Sequence, residues 1–271
     1  MAGSADFANR YGPWALVAGG SVGLGAALAG ECAARGLNLL LVARRSQPLA
    51  ETAVRLRAAH GIQVRTLAAD LADPATLAAI EKECAGIEIG LLIYNAAVAG
   101  TGWFLETPVS EYYRMLDVNC RAAVGLVHLL AAKMASRGRG GIIVMSSLAA
   151  FQGSPLVSVY GATKSFLVSM AEALGDELKE KGVDVTVCCP AVVTTPQFLS
   201  DGHNPKGPQP LSMEPAAVAR AAFGGLGRKR IVVPGAMSRL AYFLTSRILP
   251  RSGAVAMIGR STRAMYGARP S

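Results

Sequence analysis

The chain of 271 residues has few of the residues that build metal centres and disulfide frameworks. It contains three histidines, none of them at ligand spacing from another, and five cysteines without a C-x-x-C pair. An odd number of cysteines in this pattern predicts reduced, mostly buried thiols rather than disulfides. We therefore expect no metal site.

Charged residues are also scarce, at 17%, whereas hydrophobic residues make up 52%. No continuous apolar run reaches the roughly 18 residues that a membrane-spanning helix needs, and residues 1–14 contain no apolar stretch of signal-peptide length. The chain has no low-complexity tract or obvious repeat, which argues against a disordered or fibrous protein. We therefore expect one domain over residues 1–271, located in the cytoplasm.

Acidic residues are missing after Glu214, so the last 57 residues carry a charge of +10 and the first 214 carry −1. The same region contains the apolar stretch RLAYFLTSRILP. A basic, apolar C-terminal tail at about 235–271 could attract anionic lipid, a partner chain or an anionic substrate tail, or could form a solvated basic face. Nucleic acid is not an expected partner because no binding motif accompanies the charge.

Short apolar runs recur between alanine- and leucine-rich segments of helical length, such as residues 25–35 and 48–60. The runs predict seven strands, at residues 14–18, 37–43, 62–68, 91–98, 142–146, 183–189 and 231–233. This alternation predicts an α/β fold, a single-domain Rossmann-like doubly wound parallel seven-stranded sheet with helices on both faces. Prolines and glycines fill residues 194–215, which predicts a flap over a pocket.

The loop AGGSVGLG after the first strand fits two kinds of site. Ser21 lies in a G-x-S-x-G pattern, typical of a hydrolase nucleophile that also needs an acid and a histidine. Gly19, Gly23 and Gly25 alternatively fit a loop that holds the phosphates of a dinucleotide. The three histidines give the hydrolase reading little support, since none stands in an obvious catalytic setting after a strand.

The end of the second strand favours the dinucleotide. Arg44 and Arg45 lie about 20 residues beyond the glycines, where an acid would bind the ribose 2′-hydroxyl of NAD(H). Two guanidinium groups instead suit the 2′-phosphate of NADP(H). Asp70, after the third strand, could orient the adenine.

Tyr160 and Lys164 have a spacing of four, which places them on the same face of a helix. A phenol with a pKa near 10 is a weak base at neutral pH. An ammonium about 4 Å away, at an effective dielectric constant of about 20, would lower that pKa by about three units. Ser147 lies 13 residues before Tyr160, at the end of a predicted strand.

These residues together resemble the short-chain dehydrogenase/reductase family over about residues 14–195. AGGSVGLG is similar to the family's T-G-x-x-x-G-x-G with Ala18 in place of threonine, and YNAA at 94–97 is similar to N-N-A-G. LDVN at 116–119 resembles the helix motif that ends in a catalytic asparagine. CCPAVVTTP at 188–196 resembles the loop near the nicotinamide, with Ala191 in place of glycine.

The resemblance implies hydride transfer between NADP(H) and a carbonyl or alcohol. It implies that Tyr160 exchanges a proton with the substrate oxygen, Ser147 binds that oxygen, Lys164 holds the ribose and favours tyrosinate, and Asn119 positions a water of a proton relay. The expected cofactor-binding residues are Gly19, Ser21, Gly23, Leu24, Gly25, Arg44, Arg45, Asp70, Leu71, Asn95, Tyr160, Lys164, Pro190, Val193 and Thr195. The expected substrate-binding residues are Ser147, Phe151, Leu156, Tyr160 and Phe198.

Apolar residues near the expected pocket favour a bulky apolar ketone or alcohol. The stretches RYGPWALVAGGSVGLG and GLNLLLVARR, at residues 10–25 and 36–45, resemble bacterial hydroxysteroid dehydrogenases and related fatty-acyl reductases, so a steroid is the first expectation and a 3-oxoacyl thioester the alternative. A sensor or scaffold that binds NADP(H) without turnover is a third hypothesis. The family resemblance also implies a homodimer or homotetramer, and peripheral membrane contact is compatible with the sequence but not required by it.

Overall fold

A computed structural model describes residues 4–195 and 212–266, and within them a single parallel sheet with helices on both faces. Its strands are β1 Trp14–Ala18, β2 Asn38–Ala43, β3 Val64–Ala68, β4 Ile89–Tyr94, β5 Gly140–Met145, β6 Val183–Cys188 and β7 Ile231–Val232. The spatial order is β3-β2-β1-β4-β5-β6-β7, and every neighbouring pair is parallel. The predicted seven-stranded doubly wound fold is confirmed.

Helices follow the strands in the alternation that the sequence predicts. They are α1 Ser4–Tyr11, α2 Gly23–Ala33, α3 Ser46–His60, α4 Ala75–Glu83, α5 Val109–Leu116, α6 Ala122–Arg137, α7 Ser158–Glu177, α8 Pro215–Gly225, α9 Ala236–Phe243 and α10 Arg251–Tyr266. Two π-helical turns, Asp117–Arg121 and Leu244–Ile248, join α5 to α6 and follow α9. Short 3-10 turns occupy Leu148–Ala150 and Lys179–Lys181.

Two apolar cores lie on opposite faces of the sheet, because successive side chains of a strand point to opposite sides. On β1, Leu16 packs into the core that contains Leu126 of α6 and Leu167 of α7. Val17, the next residue, packs into the core that contains Leu28 of α2. All four leucines are buried, and each such side chain contributes about 2 kcal/mol through the apolar surface that it removes from water.

The continuous helical run Val109–Arg137 is long and apolar enough to span a membrane by composition alone. Its apolar side is used for packing, because Leu126, Leu130 and Met134 are buried in the core beside the sheet. Within the described residues this run is therefore explained as a core helix of the α/β fold.

The predicted strand at residues 91–98 extends four residues too far, since β4 ends at Tyr94. Asn95 still donates its backbone N–H to Ala18, but its side chain turns back to the first loop, as described below. The predicted strand at 62–68 begins only at Val64. Most of the predicted flap at 194–215 lies outside the described residues; within them, Thr194 donates to the carbonyl of Met213 at 3.0 Å.

The basic C-terminal tail packs on its own chain. The ring of Tyr242 in α9 lies 4.4 Å from that of Phe151, centroid to centroid. Ser154 and Thr262 of α10 share a hydroxyl hydrogen bond of 2.6 Å. Residues 236–266 therefore cover the loop between β5 and α7, which leads into Tyr160.

Candidate active site

The glycine loop forms a close backbone turn at the carboxyl end of β1. A Cβ on Gly25 would overlap the carbonyl oxygen of Gly19 and would lie 2.8 Å from Asn95 Nδ2. Gly19 has a φ of +83°, and a Cβ there would lie 2.8 Å from Ala96 Cα. The two backbones approach so closely that only glycine fits these positions.

Side chains from neighbouring segments hold this loop in place. Asn95 Nδ2 donates to the Gly19 carbonyl at 3.0 Å, and the Thr52 hydroxyl donates to the Ser21 carbonyl at 2.8 Å. No side chain caps the N-terminus of α2, and its first turn carries no acid. The free N–H groups and the positive end of the helix dipole suit a phosphate group.

The loop opens into a cavity of about 260 Å³ between β1, β2 and β4. Sheet order reverses around β1, and ligands of such sheets bind in the crevice at this point. Of the predicted cofactor-binding residues, the cavity is lined by Gly19, Ser21, Gly23, Leu24, Gly25, Arg44, Arg45, Asp70, Leu71, Asn95 and Thr195. Their roles stay predictions, but the fold brings them together.

The hydrolase reading finds no support here. Ser21 lines the cavity, but no histidine does so. His60 and His128 are exposed on α3 and α6, and His203 lies outside the described residues. Among the residues described, Ser21 therefore has no histidine to act as its base.

Two arginines stand at the end of β2, at the rim of the cavity. Arg44 and Arg45 are exposed, and neither forms an ion pair or side-chain hydrogen bond within residues 4–195 and 212–266. Unpaired guanidinium groups beside a dinucleotide cleft fit a 2′-phosphate, which would give them their charge partner.

Asp70 lines the same cavity, and hydrogen bonds fix its side chain. Its carboxylate accepts hydrogen bonds from Ala72 N–H at 3.0 Å and from Arg114 at 2.7 Å. Burial opposes the charged form, but these two hydrogen bonds and the charges of Arg114 and Arg44 hold the pKa of Asp70 below its ordinary value. Sequence reasoning missed Arg114, whose position in α5 gives no sign of a partner 44 residues away.

The residues predicted to carry catalysis lie together at the ends of β5 and α7. Ser147 follows β5, and its hydroxyl accepts a hydrogen bond from Ala149 N–H at 3.2 Å. Tyr160 and Lys164 lie on the first turns of α7, and the ammonium of Lys164 is 5.6 Å from the centroid of the Tyr160 ring. Burial raises the pKa of Tyr160 to about 12, while hydrogen bonding with Ser147 acts in the opposite direction.

The expected lowering of the Tyr160 pKa by Lys164 is wrong for this structure. The Lys164 ammonium donates to the main-chain carbonyl of Met145 at 3.0 Å instead of approaching the phenol. Burial lowers the pKa of Lys164 itself to about 8, against weaker contributions from Cys189 and Cys120. With a pKa of about 12, Tyr160 is a neutral phenol at pH 7.

Asn119 is fully buried in the π-helical turn between α5 and α6. Its amide exchanges two hydrogen bonds with the backbone of Val98, at 2.8 and 2.9 Å, and donates to the Thr163 hydroxyl at 3.0 Å. Thr163 in turn donates to the carbonyl of Tyr160 at 2.8 Å. Asn119 thus connects the loop after β4 to the helix that carries Tyr160. Its positioning of a water in a proton relay stays a prediction.

Tyr94 occupies a position where the resemblance expects asparagine. Its ring is fully buried, and its hydroxyl donates to the carbonyl of Val118, next to Asn119. Burial raises the pKa of this phenol, so it stays a hydrogen-bond donor. Neither Tyr94 nor Thr163 was predicted as a site residue; the departure from the family motif was the available signal for Tyr94.

Four of the predicted cofactor-binding residues do not line the cavity. Tyr160 and Lys164 are not among its lining residues, and the Pro190 carbonyl accepts a hydrogen bond from Leu148 N–H at 2.9 Å, next to Ser147. Val193 pairs with Met213 in an isolated parallel bridge. Pro190 and Val193 therefore shape the segment after β6 without lining the described cavity.

Of the predicted substrate residues, Leu156 lies beside Tyr160. Leu156 is buried and has a φ of +67°, a strained conformation for this residue type, and it lines a small cavity of about 10 Å³ together with Tyr160. Phe151 packs against Tyr242, so the tail shares this side of the site. Phe198 lies outside the described residues.

Comparison with known proteins agrees with this geometry. Residues 13–204 match the short chain dehydrogenase family. The chain belongs to the short-chain dehydrogenase family. It is thus an oxidoreductase by descent, in line with the residues at the ends of β1, β5 and α7.

Three proteins illustrate what the chain is similar to. A 7beta-hydroxysteroid dehydrogenase of Collinsella aerofaciens is 30% identical over 84% of this chain and 88% of its own length. A very-long-chain 3-oxoacyl-CoA reductase of Phaeosphaeria nodorum is 33% identical over 81% of this chain but 66% of its own length. The solved structure of a short-chain dehydrogenase from Sphingobium yanoikuyae in complex with NADPH has a TM-score of 0.78, with 30% identity over 96% of this chain and 99% of its own.

Proposed function

We propose that this short-chain dehydrogenase transfers a hydride between NADP(H) and the carbonyl or secondary alcohol of a bulky apolar compound such as a steroid. The observation that carries the proposal is the alignment, at the carboxyl ends of neighbouring strands, of a phosphate cradle, two unpaired arginines and a neutral Tyr160 beside Ser147. The phosphate cradle and the arginines suit the cofactor, whereas Tyr160 and Ser147 suit a carbonyl oxygen.

Each side chain has a definite task in ketone reduction. When bound, the nicotinamide supplies the hydride. Tyr160, protonated at pH 7 because of its raised pKa, donates its phenolic proton to the carbonyl oxygen. Ser147 donates a hydrogen bond to the same oxygen, which stabilises the charge that develops there.

Lys164 and Asn119 act on Tyr160. The ammonium of Lys164, 5.6 Å from the ring, stabilises the phenolate left after proton transfer. With a pKa of about 8 this ammonium is largely charged at pH 7. Asn119 holds α7 through Thr163 and so fixes the position of the phenol.

The preference for NADP(H) is supported by Arg44 and Arg45, since no carboxylate stands at the end of β2 to accept the ribose hydroxyls. The Sphingobium yanoikuyae relative in complex with NADPH is consistent with this preference. The 7beta-hydroxysteroid dehydrogenase relative favours a steroid, as does the apolar Leu156 beside Tyr160.

A 3-oxoacyl thioester is the second candidate substrate. The 33% identical 3-oxoacyl-CoA reductase supports it, and the basic tail would attract the phosphates of a thioester carrier. The predicted homodimer or homotetramer stays a prediction, for which the exposed side chains of Tyr113, Leu116 and Phe166 on α5 and α7 are suitable contacts. The cytoplasmic location also stays a prediction.

The test is the oxidation of NADPH by the purified protein with two substrate panels, oxo-steroids and 3-oxoacyl thioesters, each repeated with NADH. The proposal expects turnover of at least one oxo-steroid and a higher kcat/KM with NADPH. Turnover of thioesters alone would establish the second candidate. Tight NADPH binding without turnover of any ketone or alcohol would instead support the non-catalytic sensor.

A further inference from the structure

The C-terminal helices present two different faces. One face packs on the protein: Ser238 is buried, the Tyr242 ring packs at a tilt against Phe151, and the carbonyl of Thr245 accepts a hydrogen bond from Gln152 at 2.7 Å. These contacts recur at a spacing of three to four residues, as expected for one side of a helix. The other side of α9 and of the following π-helical turn is therefore directed away from the body of the protein.

That outward side is apolar instead of polar. Met237 is 63% exposed, Leu240 50%, Phe243 52% and Ile248 58%, and Leu244 is exposed as well. Met237, Leu240, Leu244 and Ile248 follow one another at helical spacing, so they form a single stripe, with Phe243 at its edge. We call these five residues the outer apolar stripe. Soluble proteins seldom expose so many large apolar side chains together without a binding function.

Exposed arginines lie within the stripe's own segment and in the helix that follows it. Arg239 and Arg247 are interleaved with its residues, and Arg251, Arg260 and Arg263 follow in the next helix. All five are exposed, and across residues 4–195 and 212–266 none of them forms an ion pair. No aspartate or glutamate follows Glu214 in the chain to compensate them.

We propose that the outer apolar stripe and its arginines dock this protein on the surface of an anionic lipid bilayer. An exposed apolar row flanked by arginines is the pattern of a helix that lies in the membrane interface, with its apolar side chains among the acyl chains and its cations near the lipid phosphates. A second copy of the chain is a poorer occupant, because the same unpaired arginines would face each other across a symmetric contact.

Vesicle sedimentation tests the proposal directly. The purified full chain is mixed with vesicles of neutral phosphatidylcholine or with vesicles that also contain about 30% phosphatidylglycerol, and the bound fraction is measured at low and high salt. We expect binding to the anionic vesicles, with weaker binding at high salt because exposed charges are screened. Equal or absent binding to the two vesicle types would overturn the proposal.

Paired variants assign the binding to the stripe. The variant R239Q/R247Q should bind anionic vesicles about 30-fold more weakly, since each basic residue near the surface contributes about a fivefold effect. L240Q/F243Q should lose binding by at least about tenfold through the apolar surface removed from the lipid. These side chains are exposed, so both variants should retain the wild-type far-ultraviolet circular dichroism and melting temperature.

Matched controls remove the same charge or the same apolar character elsewhere. K179Q/K181Q deletes two exposed lysines near the end of α7, and V54Q replaces a valine of α3 that is 61% exposed. Both should bind within about threefold of wild type, because surface attraction falls off within a Debye length. Equal losses in the controls and the stripe variants would contradict the assignment. A second result would also contradict it. In that case the protein sediments as a dimer without lipid, only the stripe variants dissociate the dimer, and no variant binds vesicles.

Discussion

The ammonium of Lys164 donates a hydrogen bond to the main-chain carbonyl of Met145, at 3.0 Å, and lies 5.6 Å from the centre of the Tyr160 ring. This arrangement holds the lysine at the end of β5, near the Tyr160 ring. Its position explains why burial, rather than the neighbouring tyrosine, governs its charge.

The buried ammonium makes stability depend on pH. The pKa of Lys164 falls from 10.5 in its ordinary state to about 8 in the fold. Between these values the unfolded chain binds more protons than the folded one, so this lysine adds to stability as pH rises from 8 to 10.5. Relative to K164M, the wild type should gain up to about 3 kcal/mol over that window, measured by urea unfolding at several pH values.

Taking the difference between K164M and wild type removes contributions common to both proteins. Among these is Tyr160, whose raised pKa lowers stability only between pH 10 and 12. A difference that stays flat from pH 8 to pH 10 would show that Lys164 is not buried in this way.

The close contact between Gly25 and Gly19 predicts that the G25A substitution disrupts the loop that is expected to hold the cofactor. The added methyl would overlap a backbone oxygen that cannot move freely, so the variant should lose about 1–3 kcal/mol of stability and bind NADPH at least about tenfold more weakly. Isothermal titration with NADPH and thermal unfolding measure the two effects.

Gly30 offers a control in the same helix. A Cβ there would meet nothing within 4 Å, and alanine is a better helix former than glycine. G30A should therefore bind NADPH normally and gain about 0.5–1 kcal/mol of stability. Equal behaviour of G25A and G30A would refute the steric account of the loop.

Arg44 and Arg45 should discriminate between the two nicotinamide cofactors. Each charge-assisted hydrogen bond to a 2′-phosphate is worth about 1.5–3 kcal/mol. R44Q/R45Q should therefore weaken NADPH binding by about 100-fold or more while leaving the dissociation constant of NADH nearly unchanged. Fluorescence titration with both cofactors checks this, and a parallel loss of NADH affinity would assign the arginines to another role.

Tyr94 should stabilise the turn that carries Asn119. Y94F removes the hydroxyl that donates to the buried carbonyl of Val118, so unfolding should become easier by about 1 kcal/mol. Tyr112 is the matched control, since its hydroxyl bonds the carbonyl of Phe104 at the exposed surface. Y112F should change stability by less than about 0.5 kcal/mol in urea unfolding, and an equal effect in both variants would contradict the special role of Tyr94.

The sequence predicted the fold closely because apolar runs and helical segments alternate strictly, and both signals are local. The glycine loop and the spacing of Tyr160 and Lys164 were predictable for the same reason. Two features depend on long-range contacts and could not be predicted from the sequence. One is the Arg114–Asp70 pair. The other is the hydrogen bond of Lys164 to Met145, because spacing along a helix does not determine which acceptor an ammonium finds. The contacts of the basic tail with residues 151–154 could not be predicted from the sequence for the same reason.

Proton donation by the Tyr160 phenol to the substrate oxygen is most directly tested by Y160F, which removes the hydroxyl and keeps the ring. Turnover of NADPH with an oxo-steroid accepted by the wild type should fall by about 10²–10⁴-fold, while the dissociation constant for NADPH changes little. Turnover by Y160F within a few-fold of wild type, with the protein folded and NADPH bound, would contradict the account.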